Sequence, residues 1–342
     1  MTRVYVLYTG GTFGMTGSPL RPKELAELER SLPEATELVP GVQVMLERFE
    51  RIIDSSSITP ADWLNIARRI KRNYETCDGF VVIHGTDTLA HTASALAFML
   101  QNLRKPVVIT GAMLPLFEEG TDAVKNYRLA LMVAGHGALG LPAVPEVCVA
   151  FAGRVLRGCR SRKMGLAERP FDSPHYPPLA LIEGGSLHVF PERLLPAPQA
   201  GAAPHVHDAL DTRVLDITLY PGLRPETLRA MLELPQAKGV VLRAYGAGNA
   251  PEDEAFLAVL KEAIQQRGRV VVAVSQVPYG KVAPGHYAAS SGLLRAGVIP
   301  GVDLTPEAAL TKLMVVMGQV GDDTQRISKL MQHPLRGEMS GR

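Results

Sequence analysis

Four residues of this chain could together carry out nucleophilic chemistry, namely Thr12, Thr86, Asp87 and Lys163. A threonine hydroxyl is a poor nucleophile until a base removes its proton, and a lysine can act as that base only when burial or a nearby cation lowers its pKa. An aspartate within reach would orient the lysine and balance its charge. Taken singly, each residue is more typical of a turn, a helix cap or a surface position. The chemistry therefore depends on a fold that brings Lys163 to Asp87.

Thr86 and Asp87 lie between a strand pattern and a helix pattern. Residues 80–83 form a continuous apolar run, which is typical of a strand buried on both faces, and residues 89–103 carry a helical pattern. An open α/β sheet binds its ligands beyond the carboxyl ends of its strands, near helix N-termini whose backbone N–H groups are unpaired. The pattern therefore predicts that Thr86 and Asp87 face a binding crevice.

Two further predicted strands also end in small, polar turns. Residues 4–8 are typical of a buried strand and lead into a glycine-rich turn that displays Thr12, because glycine accepts positive φ and lets a ligand approach closely. Residues 15–24 are rich in Gly, Pro and Ser, which predicts a loop beside that turn and a candidate lid. A strand at 106–110 stops at Gly111. Three strand ends of this kind indicate one shared crevice.

A segment rich in Pro, Ala and Gly predicts a linker between two α/β domains. We place an N-terminal catalytic domain at 1–193, the linker at 194–212 and a C-terminal domain at 213–342. Beyond the linker, strand and helix patterns alternate along the chain at 214–219, 225–234, 239–242, 254–266, 270–274 and 306–319. This alternation predicts a second, smaller parallel sheet with helices on both faces.

The composition is that of an ordinary soluble globular protein, with 342 residues, 46% of them hydrophobic and 20% charged. The formal net charge of +2 gives no whole-protein argument for binding nucleic acid or a membrane. No apolar run approaches the roughly 18 residues that span a bilayer, and the N-terminus lacks the pattern of an export signal. Scattered cysteines argue against a disulfide framework and a zinc site; they are Cys77, Cys148 and Cys159. The sequence thus predicts a cytoplasmic, reduced protein that binds neither nucleic acid nor membranes.

A basic run at 154–163 contains five cations, namely Arg154, Arg157, Arg160, Arg162 and Lys163. Such a run usually forms a solvated face, which is our expectation for its arginines. Contact with nucleic acid is the weaker alternative.

The motifs of several common enzyme classes are missing from the sequence. The glycines at 10, 11 and 14 lack dinucleotide-binding spacing, and neither a phosphate loop, a G-x-S-x-G elbow nor an H-E-x-x-H pair occurs. The glycine turn at 245–249 could cradle an anion, but such turns are common in α/β folds. His84 could act as a base, although a histidine between a buried strand and a glycine is more often a hydrogen-bonded core residue.

Two segments, TGGTFG near the N-terminus and GFVVIHGTDTL around Thr86, closely resemble the two signature motifs of the L-asparaginase family. The resemblance covers nearly the whole chain, through DSSSITPADW, PVVITGAM, the segment around Lys163, LRAYGAGNAPE and SGLLRAGVI. The DSS-containing run and the missing export signal make it similar to the bacterial cytoplasmic type I branch. The resemblance implies a two-domain α/β fold, with a larger N-terminal mixed sheet and a smaller C-terminal parallel sheet, assembled as a homodimer or homotetramer.

The resemblance also implies the reaction, which is hydrolysis of L-asparagine to L-aspartate and ammonia without a metal or an organic cofactor. Thr12 would attack the side-chain amide carbon to give an acyl-enzyme, although which threonine attacks is left open. Proton transfer would fall to a triad of Thr86, Asp87 and Lys163, and backbone N–H groups near Gly11 or Thr86 are candidates for stabilising the oxyanion. A zwitterion needs an anion for its ammonium group and hydroxyl or N–H donors for its carboxylate. The residues that would bind the substrate are Asp54, Ser55, Ser56, Thr86 and Asp87.

The chain departs from the family pattern at two places. Related enzymes often have a lid tyrosine that orients the nucleophile, whereas this chain has Leu20 near that place and no tyrosine in the predicted lid. Some type I enzymes have a second, allosteric asparagine site, whose arginine is matched by Arg243. At that site, Val277 and Arg162 stand where a cysteine and a threonine are expected. Two alternative functions stay open, a broader asparaginase/glutaminase amidase and a non-catalytic amino-acid-binding protein.

Overall fold

The computed structural model describes two compact units formed by residues 1–22, 25–166, 169–282 and 288–341. The first unit is Met1–Val206 and the second is His207–Arg342, so the chain divides inside the predicted linker 194–212. None of the described helices combines the length and the apolar character that crossing a membrane requires.

A mixed sheet of eight strands forms the centre of the first unit. The strands of this unit are, in chain order, β1 (Thr2–Tyr8), β2 (Met15–Thr16), β3 (Arg21–Pro22), β4 (Val42–Arg48), β5 (Gly79–Ile83), β6 (Leu100–Gln101), β7 (Val107–Thr110), β8 (Val147–Phe151), β9 (Arg154–Arg157), β10 (Arg162–Lys163), β11 (Phe171–Asp172), β12 (Ala180–Glu183), β13 (Ser186–Val189) and β14 (His205–Val206). Its helices are α1 (Leu25–Ser31), α2 (Ala35–Leu38), α3 (Pro60–Arg72), α4 (Leu89–Met99) and α5 (Ala123–Ala134). The sheet has the order β13-β12-β9-β8-β7-β5-β1-β4, in which the strands from β8 to β4 are parallel and the other three are antiparallel. This confirms the implied mixed sheet.

Strands β1, β5 and β7 bring their carboxyl ends to one level of the sheet. The register aligns Tyr8 with Ile83 and Ile83 with Thr110. The apolar side chains of β5 and β7 are fully buried, as a central strand covered on both faces requires. The polar turns that follow the three strands therefore lie at one edge, where open α/β sheets bind their ligands.

Helix α4 is shorter than the sequence predicts. It ends at Met99, because Leu100 takes the extended dihedral angles φ −90° and ψ 116°. Leu100–Gln101 then pairs as β6 with β14. The predicted helix 89–103 is therefore wrong over 100–103, where pairing with a distant strand replaces the local helical pattern.

The predicted lid forms a short hairpin rather than an irregular loop. Strands β2 and β3 pair in antiparallel register. Leu20, near the place of the family's tyrosine, is exposed. The last two residues of the predicted segment, Lys23 and Glu24, lie outside the described residues. A role as a lid stays a prediction.

The basic run 154–163 is not the solvated face that the sequence predicts. Arg157 is buried and donates hydrogen bonds of 2.6 and 3.2 Å to Glu146. Arg160 is also buried, and both guanidinium groups lie over the ring of Tyr176. These two cations are therefore used in packing the edge of the sheet, which removes them from any contact with a phosphate backbone.

The second unit contains a smaller, parallel sheet. Its strands, in both chain and sheet order, are β15 (Val214–Thr218), β16 (Gly239–Ala244), β17 (Val270–Ser275) and β18 (Ile299–Pro300). Its helices are α6 (Pro225–Glu233), α7 (Glu254–Gln265), α8 (Ala288–Ala296), α9 (Pro306–Val320) and α10 (Thr324–Met331). Every pair of neighbouring strands is parallel, which confirms the predicted sheet.

Candidate active site

Two glycine-hinged turns meet where β1 and β5 end. Gly11 takes φ +86° and ψ 177°, a region open essentially to glycine alone, and a β-carbon there would collide with the Cα atom of Gly85. A β-carbon on Gly85 would lie 2.5 Å from Ser55 Oγ and 3.2 Å from the Cα atom of Gly11. This close approach of two backbones places the turn that begins at Thr12 beside the turn that carries Thr86.

Lys163 contacts both predicted catalytic residues of the second turn. Its Nζ donates a 2.9 Å hydrogen bond to Thr86 Oγ1 and a 2.7 Å hydrogen bond to Asp87 Oδ1. The Lys163 side chain is 18% exposed, Thr86 is buried, and the Asp87 side chain is 64% exposed. The fold thus brings the three residues together, with the ion pair open to solvent on the aspartate side.

A short hairpin holds Lys163 in this position. Strand β10 pairs with β11 so that Lys163 lies opposite the buried Phe171, and the N–H of Met164 donates a 2.7 Å hydrogen bond to the carbonyl of Pro170. Phe171 packs against Phe151 at the end of β8, with 5.0 Å between ring centroids. The aromatic contact ties the hairpin to the central sheet.

The predicted substrate-binding residues form a 3₁₀-helical turn beside Asp87. Asp54 caps this turn, and its Oδ1 accepts hydrogen bonds of 2.9 Å from both the N–H and the Oγ of Ser56. Ser55 Oγ accepts a 3.2 Å hydrogen bond from the N–H of Asp87, and its carbonyl accepts a 2.7 Å bond from Thr88 Oγ1. Asp54 and Ser56 are exposed, whereas Ser55 is buried. The turn that could bind a substrate is therefore attached directly to the turn that Lys163 contacts.

Thr12 is partly exposed on a turn whose other residues are buried. Phe13 packs against Tyr127, with 6.2 Å between ring centroids, and Gly14 packs so closely on Tyr8 that a β-carbon would collide with the phenolic oxygen. These contacts anchor the turn and leave Thr12 accessible. Among the hydrogen bonds of the described residues, the threonine that Lys163 contacts is Thr86.

His84 is a core residue with hydrogen bonds on both ring nitrogens. It is fully buried, and burial lowers its imidazole pKa to about 4, so the ring is neutral near pH 7. Nδ1 lies 2.6 Å from the carbonyl oxygen of Gly85, and Nε2 lies 3.0 Å from Thr92 Oγ1. This confirms the expected core role of His84. The sequence indicates Thr92 only weakly, as a hydroxyl within the largely apolar helix α4.

Arg243, which matches the arginine of a second asparagine site, lies on β16 in the second unit. Its Nε donates a 2.7 Å hydrogen bond to Asp216 Oδ1, and this bond raises the guanidinium pKa. The second site itself stays a prediction.

A metal-binding cluster is not found in the part of the chain that the structure describes. There, no group of three or more His, Cys, Asp or Glu side chains is arranged to hold a metal ion.

Comparison with known proteins shows which family carries these two turns. The family model for "Asparaginase, N-terminal" matches residues 3–195, and that for "Glutaminase/Asparaginase C-terminal domain" matches residues 213–331. The chain belongs to the asparaginase family. The resemblance indicated by the two glycine-containing motifs is thereby confirmed.

Relatives match this asparaginase-family chain along almost its whole length. L-asparaginase 1 of Escherichia coli strain K12 is 41% identical over 98% of both chains. The crystal structure of L-asparaginase I from Vibrio cholerae has a TM-score of 0.88 at 37% identity and covers 99% of each chain. The structure of the thermostable L-asparaginase from Thermococcus kodakarensis has a TM-score of 0.86 at 35% identity and covers 100% of each chain. These matches confirm the similarity to type I enzymes and the amidohydrolase class.

Proposed function

We propose that this enzyme hydrolyses L-asparagine to L-aspartate and ammonia in the cleft formed by the two turns. Family membership supports the reaction, and the contact of Lys163 with both Thr86 and Asp87 supports its location. That contact is the observation on which the proposal depends. It joins a group that can carry a proton to a hydroxyl and a carboxylate at the ligand-binding edge of the sheet.

Thr12 is the proposed nucleophile. Its hydroxyl oxygen would attack the side-chain amide carbon of asparagine, giving a tetrahedral oxyanion and then, as ammonia leaves, a β-aspartyl ester. Thr86 would accept the proton of Thr12 while passing its own proton to the Lys163 amine, and the resulting ammonium would protonate the departing amino group. Water would then cleave the ester by the same proton route and restore Thr12. Because Lys163 contacts Thr86 directly, attack by Thr86 is the alternative.

The exposed carboxylates suit a zwitterionic amino acid. Asp54 and Asp87 are both exposed, so either can approach an α-ammonium group. The Ser56 hydroxyl is exposed and can donate to an α-carboxylate. Ser55 is buried and accepts a hydrogen bond from the N–H of Asp87, so we assign it to holding Asp87 in place as well as to substrate binding.

Ammonia release from L-asparagine by the purified protein tests the proposal. We expect equal amounts of L-aspartate and ammonia, and a loss of about a thousandfold or more in Thr12→Ala, because that variant has no attacking hydroxyl. Thr12→Ser keeps the hydroxyl and should retain part of the activity. Mapping the acylated peptide after a quench during turnover distinguishes Thr12 from Thr86. Full turnover by Thr12→Ala would remove Thr12 from the mechanism.

The same assay separates the alternative functions. A broader amidase would give similar kcat/KM values for L-glutamine and L-asparagine, whereas we expect a clear preference for L-asparagine. A non-catalytic amino-acid-binding protein would bind L-aspartate without turnover of L-asparagine at any pH.

We also propose that the enzyme works in the cytoplasm as a homodimer or homotetramer. The assembly is taken from the family resemblance, and sedimentation equilibrium measures it. Buried thiols at Cys77 and Cys148 agree with a reducing compartment.

A further inference from the structure

A chain of buried hydrogen bonds runs from helix α3 to the turn that carries Thr86. The indole Nε1 of Trp63 lies 3.0 Å from Thr92 Oγ1, which lies 3.0 Å from Nε2 of His84. Nδ1 of His84 lies 2.6 Å from the carbonyl oxygen of Gly85. Thr92 and His84 are 0% exposed and Trp63 is 6% exposed, so solvent does not compete for these hydrogen bonds.

The two ends of this series, the indole N–H of Trp63 and the carbonyl of Gly85, fix the direction of each hydrogen bond. A carbonyl oxygen only accepts, so His84 carries its proton on Nδ1. Burial keeps the ring neutral, and Nε2 must then accept a hydrogen bond from the Thr92 hydroxyl. The Thr92 oxygen in turn accepts from the indole N–H of Trp63, because indole nitrogen only donates. One tautomer of His84 therefore satisfies the whole chain.

The last of these hydrogen bonds orients the peptide between Gly85 and Thr86. This peptide is trans, and a planar trans peptide has its C=O and N–H on opposite sides. Because His84 holds the Gly85 carbonyl on its own, buried side, the N–H of Thr86 points away from the imidazole and from the helices behind it. The hydroxyl of the same Thr86 contacts Lys163, so this N–H belongs to a residue on the proposed proton route.

We propose that Trp63, Thr92 and His84 are positioning residues that hold the N–H of Thr86 as an oxyanion donor. The inference rests on the proposed function, since an oxyanion forms here only if an amide is hydrolysed. A donor fixed in advance needs no reorganisation when charge develops on the substrate oxygen, which makes such donors effective. This role explains why hydroxyl and imidazole groups, rather than apolar side chains, occupy the core behind Gly85.

Thr92→Val tests this relay, the hydrogen-bonded series Trp63, Thr92 and His84, because it removes the central hydroxyl with little change in volume. We expect kcat for L-asparagine to fall about tenfold to a hundredfold and KM to change by less than about twofold, since the donor acts on the transition state. Thr92→Ser should restore most of the lost kcat. Ser94→Ala removes another buried hydroxyl of α4, outside the relay, and should keep the kcat of the parent. Trp63→Phe, which removes the indole N–H, should show a smaller kcat loss in the same direction.

The tautomer of His84 gives a second measurement that needs no turnover. Nitrogen-15 shifts of labelled histidine distinguish protonated from unprotonated ring nitrogens, and His84→Gln identifies the signal. We expect a protonated Nδ1 and an unprotonated Nε2 in the parent. Thr92→Val should keep this tautomer, because the Gly85 carbonyl still accepts from Nδ1, and should shift the Nε2 resonance, because the hydrogen bond to Nε2 is lost. The opposite tautomer in the parent would overturn the relay.

The kinetic results separate failure of the relay from failure of the proposed function. A parent that does not hydrolyse L-asparagine overturns the proposed function, and the oxyanion role with it. A parent that does hydrolyse L-asparagine overturns the relay alone if Thr92→Val keeps its kcat. The relay alone is also overturned if KM of Thr92→Val rises by the same factor by which its kcat falls. It is overturned, too, if Thr92→Ser does not restore kcat.

Discussion

His84 titrates well below the usual range of histidine because the core surrounds it. Burial lowers its imidazole pKa to about 4, against about 6.5 in an unfolded chain. Between these pH values the unfolded state binds more protons than the folded state, so the free energy of unfolding falls as the pH is lowered. The stabilisation is fully present above about pH 6.5 and is lost progressively towards pH 4.

We therefore expect His84 alone to make the free energy of unfolding about 2 kcal/mol lower at pH 5 than at pH 7. Burial also lowers the pKa of His136, which adds to the loss in the same direction. Denaturant unfolding at both pH values measures the difference. In His84→Gln the pH dependence should shrink by about the amount assigned to His84. An equal pH dependence in variant and parent would contradict a buried, neutral imidazole.

The residue types of the candidate site are predictable from the sequence, but their contacts are not. Thr86 and Asp87 follow an apolar run that a buried strand explains, so their place at a strand end follows from local pattern. The approach of Lys163 depends on a hairpin far along the chain, and no rule of spacing gives its distance from Asp87. Thr92 has no local sign of its role, because a threonine in a helix commonly bonds to its own backbone.

At the scale of elements, the two glycine turns pack directly against each other because their backbones touch. Gly11 and Gly85 leave no room for a β-carbon on either side of the contact. The positions of Thr12 and Thr86 are therefore set by the same packing. A change at the contact should disturb stability and activity together.

Gly11→Ala should lower the free energy of unfolding by about 3 kcal/mol or more, because the added methyl group meets backbone atoms and its dihedral angles suit only glycine. Gly120→Ala is the matched control. Gly120 also has positive φ, +78°, but nothing lies within 4 Å of an added β-carbon, so about 1 kcal/mol is expected. Denaturant unfolding of both variants measures the difference. Equal losses would contradict the close contact at Gly11.

Elements that depend on local pattern are predictable, and elements that depend on distant partners are not. Strand β5 has only apolar or glycine residues, so burial on both faces is its one stable solution. The end of α4 is set instead by pairing of β6 with β14. The buried guanidinium groups of Arg157 and Arg160 lie over Tyr176, which is outside the basic run.

At the scale of the whole molecule, composition and alternation carry most of the information. Residues 194–212 have the composition of a linker, and the two units divide inside that segment. Alternating strand and helix patterns predict the parallel sheet of the second unit, because parallel neighbours need crossover connections. The antiparallel edge of the first sheet comes from β9, β12 and β13, and its two hairpins close through two-residue turns with positive φ, Ala152–Gly153 and Gly184–Gly185. There the family resemblance, rather than periodicity, predicts a mixed sheet.

Lys163 is proposed to move a proton through Thr86 during hydrolysis of L-asparagine, and kcat for ammonia release by Lys163→Met and Lys163→Arg tests this most directly. Methionine removes the charge, and arginine keeps a charge that it cannot give up. We expect both variants to fold and both to lose about a hundredfold or more in kcat. A Lys163→Arg enzyme with the kcat of the parent would contradict proton transfer by Lys163, because a permanent cation would then be sufficient.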